Sequence, residues 1–111
     1  MKRQYEPRIK SEEADLLMDA ILTLKNREEC YRFFEDVCTI NEIRAIAQRL
    51  QVAQMLREKR TYIDIADTTG ASTATISRVN RALNYGSDGY KIIFERLDKM
   101  EKEKSKSKIQ K

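Results

Sequence analysis

The sequence predicts an all-α fold, and three observations favour it. Apolar residues recur three and four positions apart along most of the 111 residues, which is the spacing of one helix face. Serine, threonine or asparagine precedes several of these runs, where helices prefer to begin. Proline occurs once and glycine three times, and no run alternates as a strand would. We therefore predict six helices that form one domain.

Capping residues mark the starts of the first three helices. The first helix is predicted to begin after Ser11 and the second after Asn26. The segment "TINE" is a capping box, in which Thr39 and Glu42 bond to each other's backbone N–H groups, and it opens the third helix. The apolar spacing of that helix predicts a buried stripe of Ile43, Ile46, Ala47, Leu50, Ala53 and Leu56.

Two turns separate the last three helices. Thr61 is predicted to cap a short fourth helix, which ends at Gly70 because glycine adopts the left-handed conformation without strain. Ser72 then caps a fifth helix that runs to about Asn84. The segment "NYGSDG" is a turn, and Ser87 within it is a candidate cap for the sixth helix.

Charge divides the chain into three parts. Residues 1–10 carry four basic residues against one acidic residue and are predicted to form a basic flexible arm. Residues 11–98 form the helical domain. Residues 99–111 are rich in Lys, Glu and Ser with few apolar residues, which predicts a disordered basic tail. Both termini are either solvating segments or extra contacts to phosphates.

The fourth and fifth helices are spaced as a helix-turn-helix, at about residues 62–83. Ala66 allows the second helix to cross closely, and Gly70 supplies the turn. Ile76 and Val79 lie three positions apart and are expected to anchor the second helix on the core. The alternative is an ordinary helical hairpin with a packing face of small residues.

A helix that enters the major groove needs a slim polar face, and this motif supplies one. The fifth helix and its cap offer mainly small or hydroxyl side chains, and basic residues end the third helix. We predict that DNA is contacted by Ser72, Thr73, Ala74, Thr75, Ser77, Arg78, Arg81, Arg57, Lys59 and Arg60. Residues 61–83 contain two arginines and two aspartates, so the motif itself is close to neutral. We therefore expect the affinity for DNA to depend only modestly on salt concentration.

The segment "EIRAIAQRLQVAQMLREKRTYIDIADTTGASTATISRVNRAL" resembles the core of the tryptophan repressor (TrpR) superfamily. The resemblance spans about residues 15–97 and is nearest to the YerC/YecD-type TrpR-like proteins, of which "LCTINE", "AQRL" and "TGASTATISRV" are typical. This chain has "VCTINE" in place of the first motif and keeps the other two. It implies a TrpR-like six-helix fold and an intertwined homodimer. The two recognition helices of that dimer would meet successive major grooves about 34 Å apart.

The resemblance also implies an effector pocket. In tryptophan-binding members a threonine and an arginine hold the ligand, at the positions of Thr39 and Arg49, and a second arginine, at Arg78, covers the indole. Glycine follows that arginine in those members, whereas this chain has Val79. A valine side chain would fill the space for the ring. We therefore expect no tryptophan cofactor, and another small effector stays open.

These patterns favour a sequence-specific DNA-binding transcriptional regulator, and more narrowly a repressor. A protein-interaction module that keeps the TrpR-like fold without operator binding is the alternative. An enzyme is not expected, because histidine and a glycine-rich phosphate loop are both absent from the sequence. Apolar residues in the first two helices, among them Leu16, Ile21 and Phe33, suggest a dimer. With no apolar span or signal core, we expect a cytoplasmic protein with double-stranded DNA as its partner and no membrane contact.

Overall fold

The computed structural model of the chain describes residues 5–109 and the side chains of residues 5–106. Within this range there are six α-helices and no strand, which confirms the predicted all-α fold. The helices are α1 (Glu12–Leu22), α2 (Arg27–Val37), α3 (Ile40–Arg57), α4 (Tyr62–Thr69), α5 (Thr73–Tyr85) and α6 (Gly89–Ile109). The chain divides into two compact units, residues 1–40 and residues 41–111.

The N-terminal unit contains α1 and α2. Ser11 caps α1 and Asn26 caps α2, as predicted, because each side chain accepts the N–H of the residue three positions further on. The rings of Phe33 and Phe34 meet edge to face, with their centroids 5.2 Å apart. Neither helix contains a buried residue. Of the predicted basic arm, residues 1–4 lie outside the described residues, and the rest precedes α1 without helix or strand.

The second unit has a small apolar core to which all four of its helices and the α4–α5 turn contribute. The buried residues are Val52, Ala53, Met55, Ile65, Ala71, Ile76, Val79 and Phe94. The stripe predicted for α3 is correct only in part, because Ile46 is 51% exposed and burial is concentrated in the C-terminal half of the helix. Apolar residues lie on more than one face of α3, so periodicity alone did not select the face that packs on the core.

The C-terminal part of the chain differs from the prediction of a disordered tail beginning at residue 99. α6 continues without a break to Ile109. Lys and Glu are strong helix formers, and Glu101 and Glu103 each have a lysine three positions further on, a spacing that favours helix. The low apolar content of this segment therefore indicates a solvated helix rather than an absence of structure. Residues 110 and 111 lie outside the described range.

The start of α6 also differs from its prediction. The helix begins at Gly89, and Asp88 rather than Ser87 immediately precedes it. Asp88 has a φ of +66°, and its backbone oxygen accepts the N–H of Ile92 at 3.0 Å. Aspartate tolerates the left-handed conformation better than most residues. The turn thus uses the residue next to the predicted cap.

Candidate nucleic-acid interface

Residues 70–72 connect α4 to α5 in a tight turn. Gly70 ends α4 with a φ of +75°, and its N–H donates to the backbone oxygen of Ala66 at 2.9 Å. Ser72 begins α5, where its Oγ accepts the N–H of Thr75 at 3.1 Å. Thr61 caps α4 in the same way. The two helices of the predicted motif are therefore bounded by the residues whose local chemistry predicted them.

A polar brace that sequence reasoning missed holds this turn. The Gln48 side chain on α3 donates to the backbone oxygen of Thr69 at 3.1 Å. The Thr69 hydroxyl donates to the oxygen of Ile65 at 2.8 Å and accepts the N–H of Ala71 at 3.1 Å. The brace joins residues 21 positions apart, so no local pattern could have indicated it. It fixes the direction in which α5 leaves the turn.

One face of α5 is anchored in the core. Ile76 is 0% exposed and Val79 is 2% exposed, and both belong to the same cluster as Ile65 on α4. These are the two residues predicted to anchor this helix. Because the anchors lie on one side, the opposite side of α5 is left in solvent.

The solvent face of α5 carries five of the ten predicted DNA contacts. Thr73, Ala74, Ser77, Arg78 and Arg81 are exposed along it. Thr75 is the exception, because it is half-buried and its hydroxyl accepts a hydrogen bond from the Ser72 Oγ at 3.1 Å. Ser72 and Thr75 thus hold the start of the helix together, and the five exposed residues form its free surface.

The arginines around the motif fall into two groups. Arg57 bonds to Asp98 through Nη2 at 2.8 Å and stacks over the Phe94 ring at 4.5 Å. Arg60 bonds to Asp64, and this hydrogen bond, followed by the attraction between the charges, raises the pKa of the guanidinium above its ordinary value. A further acidic group, Glu58, lies 3.8 Å from Arg60. Both side chains are therefore engaged within the protein.

The second group has no such acidic partner. Within residues 5–106, no carboxylate lies within ion-pair distance of Arg78 or Arg81 on α5, or of Arg44 and Arg49 on α3. All four are exposed. Their charge is available to a polyanion, whereas that of Arg57 and Arg60 is largely compensated.

The comparisons with known proteins match this architecture. The family model of the Trp repressor protein matches residues 12–98, which include α1–α5 and the first half of α6. The chain belongs to the Trp repressor family. The family has a regulatory fold and is not an enzyme family. Among the described residues, no helix has both the length and the apolar character needed to cross a membrane.

Individual Trp repressor relatives are similar over most of the chain. YerC of Bacillus subtilis (strain 168), an uncharacterised protein, is 57% identical over 98 residues, which cover 88% of this chain and 94% of YerC. The crystal structure of a TrpR-like protein from Eubacterium eligens ATCC 27750 is 64% identical, with a TM-score of 0.78 over 82% of this chain and 94% of that one. The crystal structure of a candidate Trp repressor from Staphylococcus aureus is 54% identical to this chain. Its TM-score is 0.78, and the match covers 82% of this chain and 91% of that one.

The residues that match the Trp repressor family's effector pocket lie in different surroundings. The Val79 side chain is part of the apolar core. Arg49 and Arg78 are exposed, and among the described residues no hydrogen bond joins them. Thr39 immediately precedes α3 in the N-terminal unit. Within residues 41–111, Arg49 and Arg78 are therefore two exposed arginines that are not bonded to each other.

Proposed function

We propose that this chain is a sequence-specific DNA-binding transcriptional regulator, a repressor that acts as a homodimer without tryptophan. The solvent face of α5 carries the proposal. Its first residues, Thr73, Ala74 and Ser77, are small and exposed, and they fit a major groove about 12 Å wide. Arg78 and Arg81 continue this face without an acidic partner in the described part of the chain. Membership in the Trp repressor family supports the same function.

Each exposed residue type has a defined partner in the groove. The methyl groups of Thr73 and Ala74 can contact the methyl group of thymine, and the Ser77 hydroxyl can bond to a base edge or a phosphate. An arginine donates two parallel hydrogen bonds to guanine or binds a phosphate. The brace at Thr69 and the buried Ile76 hold this face rigid, which lowers the entropic cost of binding.

The pairing of Arg57 and Arg60 narrows the set of cations that we assign to DNA. Arg60 would have to give up Asp64 before it could hold a phosphate. Arg81 has no such cost, because no described carboxylate pairs with it. We therefore assign the main charge contacts to Arg78 and Arg81 and expect a modest slope of affinity against salt concentration.

Alanine substitution of one free and one paired arginine tests this assignment. We expect Arg81→Ala to weaken DNA binding by about 1–3 kcal/mol and, if it contacts phosphate, to reduce the salt slope by about one. Arg60→Ala removes the same charge and serves as the matched control, with a much smaller loss. Fluorescence anisotropy at several salt concentrations measures both values. Equal losses from the two variants would contradict the assignment.

Independence from tryptophan is proposed from Val79. Its side chain is 2% exposed in the core, at the position where tryptophan-binding members have glycine. A glycine there would leave space for the indole ring, and we infer that a valine side chain would fill it. The recognition helix would then hold its conformation without a corepressor, since it is anchored by Val79 itself.

The homodimer is proposed from the apolar surface that the single chain leaves in solvent. Leu16 is 71% exposed, Leu22 is 81% exposed, and neither α1 nor α2 buries any residue. Ile46 on α3 is also exposed, at 51%. Exposed apolar patches on this scale mark interaction surfaces, and a two-fold dimer would supply two recognition helices for a palindromic operator.

Selection of genomic DNA fragments by the purified protein tests the function as a whole. The experiment is run with and without added tryptophan, and enriched fragments are checked by gel shift. We expect a recurring motif with two-fold symmetry, enriched equally in both conditions. Enrichment that requires tryptophan would overturn the proposed independence. A protein that binds all fragments alike, or none, would instead favour a protein-interaction module.

A further inference from the structure

A cleft of about 470 Å³ lies on the second unit. Arg78 and Arg81, to which we assign the main charge contacts with DNA, do not line it, whereas Arg57 and Lys59 from the predicted set of DNA contacts do. The end of α3, the C-terminal half of α5 and the first half of α6 form its walls. Leu56, Leu83 and Phe94 give it an apolar lining. Thr39, Arg49 and Val79 are not among its lining residues. This volume falls within the range of sites for small molecules.

Three cations, Arg57, Lys59 and Lys91, and one acid, Glu95, line the same cleft. Asp98 pairs with Arg57 at 2.8 Å and Asp88 with Lys91 at 3.6 Å, whereas no described carboxylate lies within ion-pair distance of Lys59. The Cζ atom of Arg57 lies over the Phe94 ring, 4.5 Å from the ring centroid. Arg57 uses Nη2 for Asp98, and a guanidinium has five N–H donors. Arg57 therefore offers further N–H donors to a ligand, although Asp98 already compensates much of its charge.

Lys59 is held in an unusual conformation at the edge of the cleft. Its φ is +64°, and it follows the last turn of α3, where its N–H donates to the oxygen of Leu56. The next N–H, that of Arg60, returns to the oxygen of Met55 at 3.1 Å. This is the helix ending in which glycine is usual, because a side chain strains the left-handed backbone. A lysine here costs stability that glycine would not, and it places an ammonium group at the cleft.

Two amides on α5 complete the polar part. Asn84 donates through Nδ2 to the backbone oxygen of Asn80 at 2.9 Å and to its side-chain oxygen at 3.2 Å. These bonds orient both amides along the cleft wall. The Nδ2 donors of Asn80 are not used by any described partner. The cleft thus combines amide and guanidinium donors, one lysine without an acidic partner among the described residues, and an apolar lining.

We propose that this cleft binds a small organic anion, a phosphate or carboxylate group carried on an apolar and preferably planar body. The charged group would lie among Arg57, Lys59 and Lys91, and the body would pack on Leu83 and the other apolar side chains. A DNA phosphodiester would make no use of that apolar lining. This proposed ligand site does not depend on the proposed DNA binding, because binding of a small anion to the cleft can be measured on the protein without DNA.

Titration of the full-length protein with phenyl phosphate tests this site. The signals of the Asn80 and Asn84 side-chain amides are followed by ¹⁵N NMR, with inorganic phosphate and benzyl alcohol as separate arms. We expect phenyl phosphate to shift both amides and to bind at least about tenfold more tightly than either fragment. Inorganic phosphate binding as tightly would show a bare phosphate contact, and benzyl alcohol binding as tightly would show an apolar patch. Either result, or unshifted amides, overturns the proposal.

Three variants separate the cleft from general charge effects. Lys59→Gly is expected to lower the affinity for phenyl phosphate at least about fivefold, while its urea midpoint stays the same or rises because the strained residue is gone. Lys91→Gln should lower the affinity without altering the α3 ending. Lys102→Gln removes the same charge from α6 outside the cleft and should leave binding unchanged. An equal loss in Lys102→Gln, or no loss in the first two, overturns the site.

Discussion

Ser77→Asp is expected to weaken binding of a selected operator fragment by at least about 100-fold, which corresponds to about 2.8 kcal/mol. Ser77 is exposed on the first half of α5, where a helix-turn-helix meets the groove. An aspartate there brings a carboxylate close to phosphates and base acceptors, and such like-charge contacts cost several kcal/mol. The fold should be unaffected, because Ser77 is exposed to solvent and is not part of the core cluster.

Ser87→Asp is the matched control for this prediction. It makes the same chemical change at an exposed residue between α5 and α6, where an acid near the start of α6 suits the helix dipole. We expect its affinity to stay within about twofold, since the charge lies away from the first turns of α5. Gel shift or anisotropy measures both variants, and circular dichroism checks the fold. Operator binding retained by Ser77→Asp would exclude α5 as the recognition helix.

The features that the sequence predicted correctly are local. Ser11, Asn26, Thr61 and Ser72 each cap a helix through a hydrogen bond to the residue three positions on. Gly70 adopts the left-handed conformation at the end of α4. Such bonds depend only on neighbouring residues, so a short stretch of sequence specifies them.

The features that were not predicted depend on distant residues or on a balance of small free-energy contributions. Arg57 pairs with Asp98, 41 positions away, and no spacing rule selects that partner. The α3 stripe was partly wrong because Val52 and Met55, rather than Ile46, face the core. The low apolar content of residues 99–109 is typical of a disordered segment, whereas their helix propensity and charge spacing are sufficient for a helix.

The candidate site shows the same division between local and distant determinants. The exposure of Ala74, Ser77 and Arg81 followed from the anchors at Ile76 and Val79, because both sets lie on one helix. The predicted roles of Arg57 and Arg60 did not include their acidic partners, which come from α6 and α4. The exposed face of α5 was therefore predictable from the sequence, whereas the number of arginines without an acidic partner was predicted too high.

Leu22→Asp is expected to convert a dimer into a monomer. The single chain has a mass of 13.0 kDa, so sedimentation equilibrium should give about 26 kDa for the native protein and about 13 kDa for the variant. Leu22 is 81% exposed in the last turn of α1. At the proposed interface an aspartate would be a charge removed from water without a partner, which costs several kcal/mol.

Leu22→Met keeps the apolar character and nearly the volume of the side chain, so it should remain a dimer. The pair of variants separates the loss of an apolar contact from any effect of changing this position. A dimer should also unfold at a temperature that rises with protein concentration, because association stabilises the folded chain. Leu22→Asp should remove that dependence and also weaken operator binding, since two linked recognition helices hold the two half-sites together. A native protein that sediments as a monomer would exclude this interface and the two-fold operator with it.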